Sequence, residues 1–117
     1  MKTILIVDDT ELNIDLLTQL LEDDYQLLVA RNGAESVLVT EKNMPDLILM
    51  DIALPMMDGC EAARQIRLRF SSLPIIGLSS NAMVSDREKA IAAGCNDYLT
   101  KPIDEDLLLK KLREYLG

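Results

Sequence analysis

Short apolar runs that stop abruptly at a polar residue alternate, along this chain, with longer stretches whose apolar residues recur every three or four positions. The runs are Thr3–Val7 (TILIV), Gln26–Ala30 (QLLVA), Leu47–Met50 (LILM), Pro74–Leu78 (PIIGL) and the brief Asp97–Thr100 (DYLT). An unbroken apolar run of this length suits a parallel strand buried on both faces. Gln26–Ala30 reads as a strand nearer the sheet edge, and Pro74 as a first strand residue, where a missing amide is tolerated.

The intervening stretches read as helices. Asp9 or Thr10 caps the first, whose stripe is Leu12, Leu16, Leu17, Leu20 and Leu21 and which closes at Asp23-Asp24. Asn32-Gly33-Ala34-Glu35 resembles a capping box for a helix through about Lys42, with Pro45 as the next break. Cys60–Phe70 puts Ala63, Ile66 and Phe70 on one face and Arg64, Arg67 and Arg69 largely on the others. Ser85-Asp86-Arg87-Glu88 is a capping box for a helix ending at Gly94, and Asp104 caps a last helix that buries Leu107, Leu108, Leu112 and Leu116. Five strands alternating with five helices predict an α/β fold, a doubly wound five-stranded parallel sheet with right-handed crossovers and helices on both faces. No internal repeat, low-complexity segment or linker interrupts residues 1–117, so a single domain is expected.

What each strand delivers at its carboxyl end carries the chemistry. The stretch Asp46–Gly59 is the clearest: its apolar run halts at Asp51, and neither Pro55 nor the turn signal Asp58-Gly59 can continue a central strand. Asp51 therefore sits where a buried strand opens into a loop, the edge at which open α/β sheets bind ligands. The other strands end there in Asp8-Asp9, Ser79 and Lys101, and only the second contributes nothing obvious. Three carboxylates at one point repel unless a cation lies between them. An all-oxygen donor set selects a hard divalent ion, Mg²⁺, with Mn²⁺ as a substitute. A carboxylate, such an ion, a lysine and a hydroxyl are the parts needed for phosphoryl transfer to an aspartate. Asp51 is then the nucleophile, the ion and Lys101 neutralise charge on the transferring group, and Ser79 donates to its oxygens.

Composition narrows the partners. A formal charge of −8 argues against direct nucleic-acid or anionic-membrane binding, and one Phe with no Trp leaves no stacking platform. The absence of His removes His metal sites and His general bases, so the chain is not its own phosphohistidine donor. Cys60 and Cys95 read as reduced cytosolic thiols. The four apolar residues Ile4 to Val7 are too few for a signal-peptide core, and no stretch reaches membrane-spanning length, so a cytoplasmic protein is expected.

Over its whole length the chain resembles the receiver domain of two-component response regulators, the CheY-like family. The resemblance rests on Val7-Asp8-Asp9, on Asp51 followed by Pro55 and Asp58-Gly59, on Ile75–Ser79, and on Asp97-Tyr98-Leu99-Thr100-Lys101-Pro102, in this order and spacing. It implies a flavodoxin-like sheet of order 2-1-3-4-5 and phosphorylation of Asp51 by a partner histidine kinase or histidine phosphotransfer protein. It further implies metal ligation by Asp8 or Asp9, Asp51 and the Ala53 carbonyl, and a cis Lys101–Pro102 peptide. In the switch it implies, Ser79 moves toward the phosphoryl group and Tyr98 rotates into the vacated space. That alters the face made by the fourth helix, fifth strand and fifth helix, where an unknown downstream protein docks. Ala53 and Asn81 would flank the attacking water and tune the lifetime of the acyl phosphate. One departure is Ser80, at a position where the family commonly has alanine. The sequence Lys101-Pro102-Ile103 leans toward a phosphorelay or stand-alone regulator.

Blander roles are weighed against these. Asp8-Asp9 can cap the first helix, favoured by its dipole, and Tyr98 can be a core-edge residue with a wet hydroxyl. An idle charge at a buried strand end is costly, which disfavours Asp51 as a mere turn residue. Two rival functions are an aspartyl-nucleophile phosphohydrolase of the haloacid-dehalogenase type and a phosphorylation-independent docking module. The hydrolase needs a second aspartate two residues after the nucleophile, where this chain has Ala53. Neither glycine-rich nucleotide motif occurs.

Overall fold

Five apolar runs become the five strands of one parallel sheet: β1 (Thr3–Val7), β2 (Gln26–Ala30), β3 (Leu47–Asp51), β4 (Ile75–Ser79) and β5 (Asp97–Thr100). The helices between and after them are α1 (Glu11–Leu21), α2 (Gly33–Asn43), α3 (Gly59–Arg69), α4 (Val84–Ala93) and α5 (Glu105–Leu116). The computed structural model describes residues 1–54, 58–80 and 84–117, save the side chains of Val84 and Ser85. The readings made of Pro55, Asn81 and the Ser85 side chain lie outside these described residues.

The strand order is β2-β1-β3-β4-β5, the flavodoxin-like order expected. Every pairing is parallel, from Thr3↔Gln26 in β1–β2 to Ser79↔Thr100 in β4–β5. Parallel register brings all carboxyl ends to one edge, and alternating side chains split the core in two. On one face Leu5, Val7, Ile48, Met50 and Ile75 pack with Ala62, Ala63 and Ile66 of α3 and Ala90 and Ala93 of α4. On the other, Ile4, Ile6, Leu49, Ile76 and Leu78 meet Ile14, Leu17 and Leu21 of α1 and Leu108 and Leu112 of α5. Side-chain caps start three helices: Asn32 accepts from the Glu35 N–H (2.8 Å), Asp58 from Glu61 (2.8 Å) and Asp104 from Leu107 (3.1 Å).

Helical phase departs from the predicted stripes. In α1 the buried residues are Ile14, Leu17 and Leu21, whereas Leu12 and Leu16 are 67% and 52% exposed. Leucine at helical spacing did not reveal which of two adjacent stripes faces the sheet; the β-branched Ile14 takes the inner one. Leu107 of α5 is likewise 41% exposed, because Leu108 and Leu112 set the inward line. Helix α4 runs Val84–Ala93. Strand β4 begins at Ile75, and Pro74 instead lends its carbonyl to the Ile48 N–H. The guanidinium of Arg67 does not sit on an outer face. It donates to the carbonyls of Gly94 (2.7 and 3.1 Å), Phe70 (2.9 Å) and Ser71 (3.0 Å) and to Asn96 Oδ1 (2.8 Å), tying the ends of α3 and α4 to the start of β5. Cys60 and Cys95 are buried and unpaired, and burial pushes the Cys95 thiol up to about 12.

At the opposite end of the sheet from the strand-end acids, Asp97 joins β5 to α5. Its carboxylate accepts from Lys111 Nζ (2.8 Å), from the Tyr98 N–H (2.9 Å) and from the Tyr115 hydroxyl (3.4 Å). Burial alone would raise its pKa, but the Lys111 and Tyr98 hydrogen bonds, the Lys111 charge and the Tyr115 hydroxyl together hold it below the ordinary value. A depressed folded-state pKa adds stability that is present above about pH 4 and is lost as the pH falls through the folded value. Denaturant midpoints measured from pH 6 downward should therefore fall more steeply below about pH 4 in the wild type than in Asp97→Asn. Parallel curves for the two proteins would mean that the pair contributes nothing to acid stability.

Candidate functional site

The ladder runs one residue past the strands and pins their ends. The Asp8 N–H donates to the Ala30 carbonyl (3.1 Å), the Ile52 N–H to Leu78 (2.9 Å) and the Lys101 N–H to Ser79 (2.7 Å). The residues that carry the predicted chemistry are therefore placed by backbone bonds rather than by loops. Asp8 is fully buried, Asp51 is 5% exposed and Ser79 is 6% exposed. β2 offers only the Ala30 carbonyl, in keeping with its lack of a polar end.

The two buried aspartates are held alike. Asp8 Oδ1 accepts from the N–H of Thr10 (2.9 Å), and Asp51 Oδ1 from the N–H of Ala53 (3.0 Å), each a turn in which a carboxylate binds the backbone two residues on. Their second oxygens share one ammonium: Lys101 Nζ lies 3.1 Å from Asp8 Oδ2 and 3.4 Å from Asp51 Oδ2. Thr10 stands at the N-cap of α1 and makes no side-chain capping bond, while its own N–H is taken by Asp8. The peptide Lys101–Pro102 is cis.

Asp8, Asp9 and the exposed side of the cleft complete an acidic cluster. Asp8, Asp9 and Asp51 each offer an oxygen, all within 4.8 Å of one another, with Asp9 exposed and the other two buried. One ammonium facing three carboxylates leaves net negative charge. Burial is the main force raising the Asp51 pKa; the Lys101 charge and the Ala53 N–H pull it down, and Asp8 pushes it up again. A divalent cation among these oxygens removes the repulsion, and the purely oxygen donor set suits a hard ion such as Mg²⁺.

Gly59 is a residue whose part in the site sequence reading missed. A β-carbon there would lie 2.2 Å from the Asp51 carbonyl oxygen and 2.7 Å from Ile52 Cα, while its N–H donates to the Ile52 carbonyl (2.9 Å). Gly59 thus lies directly against the end of β3, and only glycine permits the approach. Asp58-Gly59 was legible as a turn, but not as this close contact. Of the other predicted residues, Ala53 and Ser80 are exposed beside the cleft. Tyr98 lies on β5, half-buried, with its ring against the core under α3 and α4 rather than at the acids. Beside the acids a cavity of about 270 Å³ runs between α1 and the segment after β5, lined by Asp8, Leu16, Leu20, Lys101 and Ile103 among others.

Known proteins resemble this chain over nearly its full length. Residues 4–113 match the response regulator receiver domain family. Protein PilH of Pseudomonas aeruginosa is 38% identical over 120 residues, which cover 100% of this chain and 99% of PilH. The polar-differentiation response regulator DivK of Brucella anthropi is 35% identical over 119 residues, covering 99% of this chain and 97% of DivK. Among solved structures, the receiver domain of sensor histidine kinase PA1611 from Pseudomonas aeruginosa superposes with a TM-score of 0.92 at 36% identity, covering 99% of this chain and 98% of that one. That crystal structure has a magnesium ion coordinated in its active-site cleft. Together with the strand order and the shared lysine, these likenesses identify the chain as a member of the response regulator receiver domain family of two-component signalling, the CheY-like receivers.

Proposed function

We propose that the domain is a phosphoacceptor switch in which Asp51 takes a phosphoryl group from the phosphohistidine of a partner histidine kinase or histidine phosphotransfer protein. The observation that carries the reading is the Lys101 ammonium held between the buried carboxylates of Asp8 and Asp51. An oxygen of Asp51 attacks phosphorus; the P–N bond breaks, its electron pair stays on the imidazole, and a new O–P bond leaves an acyl phosphate. Asp8, Asp9, Asp51 and the Ala53 carbonyl would hold a Mg²⁺ or Mn²⁺ ion, which when bound would supply positive charge to the transferring oxygens. Lys101 contributes its ammonium to the same oxygens, and the Ala53 N–H fixes the plane of the Asp51 carboxylate. Ser79 donates to the phosphoryl group once it is in place. Tyr98 answers that movement and changes the α4-β5-α5 face read by a downstream protein. To Ala53 and Asn81 we assign the tuning of the acyl-phosphate lifetime. The chemistry is self-phosphorylation and autodephosphorylation, not turnover of a free substrate. No helix among the described residues is long and apolar enough to cross a membrane, and we place the domain in the cytoplasm.

The donor's approach follows α1. Leu12 and Leu16 are exposed, and Leu16 and Leu20 line the cavity that reaches Asp8 and Lys101. A partner helix with an apolar ridge fits this groove and can carry its phosphohistidine to the neighbouring acids.

Incubation with Mg²⁺ and a small acyl-phosphate donor should add one phosphoryl group by intact mass. Asp51→Asn should abolish the gain, and Lys101→Ala should slow it by roughly 10²-fold. Turnover of the donor without accumulation would favour the hydrolase, and no reaction at all a docking module. The raised Asp51 pKa means that its ionised form costs stability above the unfolded value. At pH 7 without divalent ions, Asp51→Asn should accordingly melt a few degrees above the wild type, roughly 4–8 °C per kcal/mol relieved. Added Mg²⁺ should close that gap by raising the wild type.

Leu16→Lys separates docking from chemistry. It should slow phosphorylation by a phosphohistidine protein about tenfold, a loss of ~1.4 kcal/mol, while leaving the rate with the small acyl phosphate unchanged. Equal slowing with both donors would show that Leu16 supports the site rather than the partner.

A further inference from the structure

Inside the acid cleft β2 is represented by one backbone group, the Ala30 carbonyl that accepts from the Asp8 N–H (3.1 Å). The next residue, Arg31, continues past the strand end at the same edge. Ala30 is the register partner of Val7, so Arg31 stands level with Asp8 on the neighbouring strand, and such neighbours lie about 4.8 Å apart. The Arg31 guanidinium pairs with Glu11 in the first turn of α1, Nη1 lying 2.5 Å from Oε2. Glu11 is in turn two residues from Asp9, which keeps their backbones within about 7 Å of each other. The ion pair therefore links β2 to α1 beside the cluster of Asp8, Asp9 and Asp51.

Such a pair can act as a strap or as a charge, and the magnitudes separate the two. Both side chains are half exposed or more, and an ion pair so exposed contributes little to stability. The turn it would strap is already held by two bonds of Asp8, one accepted from the Thr10 N–H and one donated to Ala30. Charge reaches further. From Asp8 to Asp24 the chain carries seven acids and neither Lys nor Arg. The cations that meet this segment come from elsewhere, Lys101 inside the cleft and Arg31 at its rim. Glu11 foremost, then Glu35 and Asp15, hold the Arg31 guanidinium above its ordinary pKa, so it stays charged at every working pH. A divalent ion feels each rim charge twice as strongly as a monovalent one.

We propose that Arg31 sets the affinity of the acidic cluster for a divalent cation: by neutralising Glu11 at the rim, it holds that affinity below what the three aspartates and an unopposed Glu11 would give. The proposal rests on the metal-dependent phosphoacceptor reading above. Arg31 touches neither the ion nor Asp51; it is a positioning residue that acts through Glu11 and through its own charge. An ion held more loosely makes phosphorylation of Asp51 follow the free-ion concentration.

The test measures Mn²⁺ binding to the full chain from the loss of the free-ion EPR signal. It is run in roughly 10 mM salt, where charges act over about 30 Å, and again in roughly 1 M salt, where they act over about 3 Å. At low salt Arg31→Gln should tighten binding about two- to fivefold, Glu11→Gln should weaken it by a similar factor, and the double variant should return close to wild type. Arg31→Lys, which keeps the charge and loses the planar fork, should bind as the wild type does. At high salt all these proteins should converge. A strap predicts otherwise: either single variant breaks the same pair, so both would weaken binding and the double variant would match them. Unchanged or weakened binding in Arg31→Gln at low salt would overturn the proposal. Asp9→Asn and Asp51→Asn keep the two readings apart. A wild type that binds no Mn²⁺, or Mn²⁺ that both of these variants leave bound, would defeat the cation site itself. Binding that they weaken and Arg31→Gln does not tighten would defeat only the role of Arg31.

Discussion

One ammonium shared by two buried carboxylates governs this molecule. Lys101 stands between Asp8 and Asp51, and each carboxylate gives its other oxygen to a backbone N–H two residues on. Burying either acid without these partners would be costly. The geometry that satisfies them can arise only where β1, β3 and the end of β5 meet at one edge. A parallel sheet supplies that edge, and the backbone bonds from Asp8, Ile52 and Lys101 hold it to the register of the strands. The arrangement compensates the charge incompletely, because Asp9 adds a third carboxylate. The surplus makes the place suited to a cation, where a fully neutralised network would not be.

Much of this was legible because it depends on where strands stop. TILIV ending at Asp8, LILM ending at Asp51 and DYLT ending at Lys101 declare both a buried strand and a polar residue at its carboxyl end. Parallel topology then gathers those residues without further information. Asn32, Asp58 and Asp104 could be read as caps or turns for a related reason: the bond joins residues three apart in sequence.

Less legible was whatever depends on phase or on contacts distant in sequence. Leu12 and Leu16 belong to the same leucine-rich pattern as Leu17 and Leu21, and only packing on the sheet tells which stripe is inside. Arg67 looked like one more surface arginine, because the carbonyl of Gly94 and the amide of Asn96 that receive its guanidinium lie far along the chain. Gly59 and Gly77 had no individual signal. What each does is to leave room, and the atoms needing that room belong to Asp51 and Ile52 in one case and to Ile52, Tyr98 and Cys95 in the other.

Those two glycines also leave Ile52 tied at its backbone and with room at its side chain. Gly59 lies against the carbonyls of Asp51 and Ile52, so the backbone beside Asp51 has little freedom to absorb a change. Side chains have more. Ile52 projects from that fixed backbone toward the space at Gly77, where Tyr98 also lies, and Ser79 follows two residues later on the same strand. Interiors packed at high density respond to a new group by exchanging one arrangement for another rather than by compressing. Ser79 stands on the strand whose missing side chain leaves room for the tyrosine ring, so repacking at that strand end bears on the ring. The distance in structure from the Asp51 carboxylate to the β5 face is then short, a single strand and the residues resting on it.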